Sequence, residues 1–105
     1  MGKQALLREQ LQTELEELLG SENVYFQPPP SLRMVYPAIV YSRNRIPSLN
    51  ADNLIYKTDT QYIVTVIDED PDSEIVEKMS FFRNAVHDRH FESDGLNHDV
   101  FTLYI

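Results

Sequence analysis

The dipeptide Asp94-Gly95 limits the folds open to this chain more than any other feature. It sits in "AVHDRHFESDGLNHDVFTLYI", between two runs that read as strands. Asp-Gly at such a place signals a tight β-turn, because the turn needs positive φ and these residues tolerate it. A hairpin over about 86–105, turning at "SDGLN", follows. In its second strand Phe101, Leu103 and Ile105 point one way and Val100, Thr102 and Tyr104 the other. A hairpin is marginal alone, so the rest of the chain must supply further strands and a covering layer.

The covering layer is legible at once. In "KQALLREQLQTELEELL", residues 3–19, Leu7, Leu11, Leu15 and Leu18 recur at helical spacing, with Leu6 and Leu19 beside them. Gly20 follows, where a helix end favours a residue at ease with positive φ. The next stretch, "SENVYFQ", is close to a protease recognition tag, E-N-L-Y-F-Q. A patterned helix running straight into it, and Pro28 where that protease requires a small residue, argue for a native strand instead.

"PPPSLRM" is a stiff connector unable to join a sheet interior. "VYPAIVYSRN" reads as a strand, "RIPSLNADN" (45–53) as a loop or projecting arm, "LIYKTD" as a short strand and "TQYIVTVIDE" as a longer one. The last alternates Tyr62, Val64 and Val66 with Ile63, Thr65 and Ile67, so both of its faces are expected to be at least partly covered. "DPDSEIVEKMSFFRN" predicts a second helix over about 71–83. Asp70 is its expected N-cap and Pro71 its first residue, with Ile75, Met79 and Phe82 buried and Val76 nearby. The expected architecture is one α+β domain over 1–105, in the order α-β-β-β-β-α-β-β. It has a mainly antiparallel sheet (about 23–68 plus the hairpin), hairpin-like links between most strands, and both helices on one face.

Composition narrows function mostly by exclusion. The net charge of -8 argues against binding through phosphates, which takes clustered Lys and Arg. With no cysteine there is neither a disulfide framework nor a thiol nucleophile. No apolar run reaches the roughly 18 residues of a membrane helix. The charge is lopsided: residues 59–83 carry seven acids against Lys78 and Arg83, while 21–58 carry Arg33, Arg43, Arg45 and Lys57 against Glu22 and Asp52. A solvated face explains this, and so does an acidic flank of one copy meeting a basic flank of the next. His87 and His90 have opposite strand parity unless a bulge intervenes, so a metal site with His98 is the lesser reading beside ordinary cross-strand contacts. No phosphate-cradling loop or nucleophile elbow is present, and neither an enzyme nor a cofactor is expected.

The stretches "VYFQPP", "YPAIVY", "ADN", "YIVTVIDEDPDSEI" and "DRHFESDGLNHDVFTLY" together resemble the small minor capsid or tail-completion proteins of long-tailed bacteriophages. The most specific parts are Thr65–Ile75 and Asp88–Tyr104. "MSFFRNAVHDRH" departs from the pattern, where a shorter, proline-marked link is expected. The resemblance implies a tail terminator: a virion protein assembled in the host cytoplasm. It would form a homo-oligomeric, typically hexameric ring at the head-proximal end of the tail tube. Its partners would be the tail tube protein and the head-tail connector or adaptor proteins, with DNA passing through the channel unbound. A head-completion ring beside the portal adaptor is the close alternative, and a metal-binding or small cytoplasmic binding module a more distant one. The interface candidates are Arg45, Ile46, Leu49, Asn50 and Asp52 as an arm, with Asp68, Asp70 and Asp72 as an acidic run.

Overall fold

The computed structural model describes residues 3–45, 60–83 and 85–104. The elements are α1 (Lys3–Leu19), β1 (Val24–Phe26), β2 (Ala38–Arg45), β3 (Gln61–Asp68), α2 (Glu74–Met79), β4 (Val86–Ser93) and β5 (Leu96–Tyr104). The strands form one mixed sheet in the order β1-β2-β3-β5-β4. All neighbours pair antiparallel except β1, which runs parallel to β2. The fold is α+β with a mainly antiparallel sheet. The link from β1 to β2 is therefore a crossover and not a hairpin, as a parallel pair requires. The expected strand "LIYKTD" lies outside the described residues.

Alternation builds the core. Ile39 and Tyr41 of β2, Tyr62, Val64 and Val66 of β3, and Phe101 and Leu103 of β5 face one side and are buried. Leu11, Leu15 and Leu19 of α1 and Met79 of α2 join the same cluster, so both helices lie on this face. Leu6 is 54% exposed and stands apart from it. The helix ends where expected: Gly20 has φ 83 and donates its N–H to the Glu16 carbonyl at 2.8 Å. Burial of such leucines stabilises by about 2 kcal/mol each, far more than propensity alone.

The tag-like stretch is integral to the sheet. Val24 is buried and paired with Ile39, and the Phe26 ring lies 4.9 Å from that of Tyr41. The Arg8 guanidinium lies over the Phe26 ring, 4.6 Å from its centroid. Polar order comes from Gln12, which accepts from the Tyr41 hydroxyl at 2.5 Å and donates to the Val24 carbonyl at 3.0 Å. One side chain thus ties α1, β1 and β2 together.

Helix α2 is shorter than 71–83 at both ends. Ser73, not Asp70, is its N-cap, with Oγ accepting the Ile75 N–H at 3.2 Å. Asp70 is already engaged in a local turn, accepting from the Asp72 N–H at 2.9 Å, so the helix begins later than the Asp-Pro signal suggests. At the far end the Ser80 hydroxyl donates to the Glu77 carbonyl at 2.6 Å. The N–H groups of Phe81 and Phe82 bond only three residues back, to the Lys78 and Met79 carbonyls, so the α-helical ladder gives way after Met79. Ile75, Val76 and Phe82 nonetheless pack on the core as expected, with Met79 fully buried.

Candidate functional site

The sheet's two edges are built differently. β1 is three residues long, its Val24 carbonyl is taken by Gln12, and Pro28, Pro29 and Pro30 follow it without a single N–H. β4 is eight residues long and every one of them is exposed. Asp94 (φ 53) and Gly95 (φ 76) make the two-residue turn anticipated from sequence, with Ser93 opposite Leu96. In such a hairpin the pair flanking the turn exchanges both hydrogen bonds and bonded pairs then alternate. Phe91 and His98 are the next bonded pair, which leaves the backbone N–H and C=O of His90 and Glu92 directed outward. Val86 (62% exposed) and Phe91 (41%) stand along this strand as large apolar side chains in solvent.

A bulge at Asp88, between His87 and Arg89, corrects the parity of the histidines. His87 pairs with Phe101 and His90 with Asp99, so both share the helix-side face. His87 Nε2 lies 3.0 Å from Oδ1 of the buried Asp99, and its ring meets Phe101 edge-on at 5.1 Å. Asn97 donates to the carbonyls of Asp68 (3.4 Å) and Glu69 (3.2 Å). Its Oδ1 therefore faces His90, whose Nε2 donates to it at 3.1 Å. His98 is on the opposite face, stacked on Phe91 at 4.6 Å with Nδ1 donating to the Leu96 carbonyl. The three histidines do not converge, and no metal-holding group of three ligands occurs among the described residues.

The acidic run forms an exposed rim at the end of β3. Asp68 accepts from the Asp70 N–H at 3.1 Å, and Asp70 in turn accepts from the Asp72 N–H, so the first two carboxylates shape the loop they sit on. Glu92 pairs with Asn97, which pairs with Asp68, placing β4's acidic end and the hairpin tip beside this rim. Arg45 ends β2 opposite Gln61, at the other end of the sheet, roughly 20 Å away at the rise of an extended strand. The structure does not bring Arg45 to Asp68, Asp70 or Asp72 within the chain. Ile46, Leu49, Asn50 and Asp52 lie outside the described residues.

Nothing else among the described residues resembles a reaction centre. Two open hollows, of about 420 Å³ beside Leu6, Glu9, Gln10 and Thr13 and about 310 Å³ beside Glu74, Glu77, Lys78 and Phe81, lie on outer helix faces. Burial raises the pKa of Tyr41 and Tyr62, both of which are core residues rather than site residues. The Arg83 pKa is raised by its hydrogen bond to Glu14, a link between α1 and the end of α2. No described helix is long and apolar enough to cross a membrane. What sequence reasoning missed is the openness of β4. The Asp-Gly turn made β4 visible, but only the strand order shows that no described element lies beyond it. No family model, curated protein or solved structure matches this chain.

Proposed function

We propose that this chain is an assembly subunit of a phage neck, a tail terminator that forms a ring on the tail tube and offers a surface to the head connector. The observation that carries the reading is the long, open β4 edge beside an acidic rim, a surface suited to another polypeptide. The two stretches most similar to the tail-completion family, Thr65–Ile75 and Asp88–Tyr104, are the ones that build it: β3 with its rim, and the β4-β5 hairpin. Asn97 bonds one to the other. The charge balance supports the reading as well, since an acidic subunit lets a nucleic acid pass a channel without adhering.

The deciding experiment is electron microscopy of lysates from a phage carrying an early stop codon in this gene. Filled heads beside unattached tails of irregular or excessive length are expected. Tails of normal length beside heads that have lost their DNA would assign the protein to the head-completion ring instead. Intact, infectious particles would overturn both.

A further inference from the structure

From the two edges of the sheet we infer that β4 is the receiving strand for an extended segment of a different polypeptide, in which apolar residues alternate with lysine or arginine. This rests on the assembly reading and names the chemistry of the partner at its open edge. The backbone supplies the attachment: His90 and Glu92 turn N–H and C=O outward, so an added strand gains ladder hydrogen bonds without disturbing those to β5. The side chains supply the pattern. Phe91 shares one face of the strand with Val86, through their pairing with His98 and Thr102; both are exposed, and Arg89 stands between them with its guanidinium 5.7 Å from the Phe91 ring. Glu92 stands on the opposite face with His87 and His90, near Asp94 at the tip and the adjoining Asp68–Glu69 rim. A partner with apolar side chains on the Phe91 side and basic ones on the Glu92 side meets both.

A second copy of the same strand fits badly. An antiparallel β4–β4 pair centred on Arg89 sets that residue against itself. Centred on His90, Asp88 opposes Glu92; centred on Glu92, the glutamate faces its own copy; centred on Phe91, His90 opposes Glu92 and no like charges meet within the strand. Like charges directly opposite are destabilising, so self-pairing is disfavoured in three of these four registers, and the Phe91-centred one alone escapes that penalty. The β1 edge of a second copy fits little better, because Gln12 and the prolines have already used or removed much of its hydrogen-bonding capacity.

The test uses the full chain, labelled with nitrogen-15, and two short synthetic peptides, one alternating valine with lysine and the other valine with glutamate. The lysine peptide should shift the amide signals along β4 and slow exchange at His90 and Glu92, and the glutamate peptide should not. Glu92→Pro removes an outward donor only and should weaken binding about tenfold, the scale of one or two backbone hydrogen bonds. Glu92→Lys keeps the strand intact and should exchange the preference between the peptides. Shifts confined to the Asp68–Asp72 rim, equal binding of both peptides, or no binding would overturn the inference. So would concentration-dependent broadening of β4 signals without peptide, which would mean that β4 pairs with itself. A phage that needs this gene for tail termination while its product ignores the lysine peptide would separate failure here from failure of the assembly reading.

Discussion

The two margins of this sheet face the same hazard, an exposed row of backbone groups, and meet it by opposite means. At β1 the row is shortened to three residues, bonded by a glutamine from the helix above and followed by prolines. At β4 the row is eight residues long and exposed, no described strand lies beyond it, and charged side chains and a bulge mark its length. Covering a margin forecloses every partner, whereas charging it forecloses only some. The contrast separates an edge closed by the fold itself from one that stays exposed.

Four measurements would break or sharpen this comparison. The largest effect belongs beneath the closed margin: Leu15 is 0% exposed, and Leu15→Ala should cost about 3 kcal/mol in urea unfolding, against less than about 1 for Phe91→Ala on the open strand. A similar loss at both positions would mean that β4 is buried in solution by a neighbour. Next, Gln12→Ala should cost about 1.5 kcal/mol by leaving the Tyr41 hydroxyl and Val24 carbonyl without their partner. Hydrogen exchange should then quicken at β1 and leave β4 unchanged; parallel loosening of both would refute their independence. Third, Gly95→Ala forces a side chain into φ 76 and should cost about 1 kcal/mol, felt along the hairpin and not in α1.

The smallest effect at neutral pH is expected from Tyr62→Phe, whose value lies in an alkaline titration. Burial raises the pKa of Tyr62 above its ordinary 10.0, so folding favours the protonated phenol. The resulting stability is fully present below that pH and is lost as pH rises through the folded-state value. Wild type should therefore weaken more steeply than the variant above pH 10.0, and parallel curves would show that the ring is hydrated in solution. Tyr41 titrates in the same direction from the same cause, so part of the alkaline loss should survive in the variant.

Legibility in the sequence followed the range of the interactions. The leucine-patterned helix ending at Gly20, the alternation of β3 and the Asp94-Gly95 turn are local patterns that the structure realises. The buried row of the helix, however, is Leu11, Leu15 and Leu19, with Leu18 packed beside it and Leu7 outside the core cluster. The start of α2 was misplaced because "DPDS" offers two caps, and Asp70 spends its carboxylate on Asp72 before Ser73 is reached. The bulge at Asp88 carries no glycine to announce it, so the shared face of His87 and His90 became visible only through the register with β5. The parallel pairing of β1 is likewise a tertiary choice that three residues cannot encode. At the candidate site, the acidic run was visible as composition, but the distance separating Arg45 from it depends on which end of which strand each occupies.

Asn97 gives the open margin a longer reach than its own length. The amide holds His90 of β4 with its oxygen and the two carbonyls at the exit of β3 with its nitrogen. Those carbonyls begin the loop that Asp68, Asp70 and Ser73 wind into α2. One side chain therefore joins the exposed edge strand to the approach of a helix, so the hairpin and the helical layer share a polar fastening at Asn97.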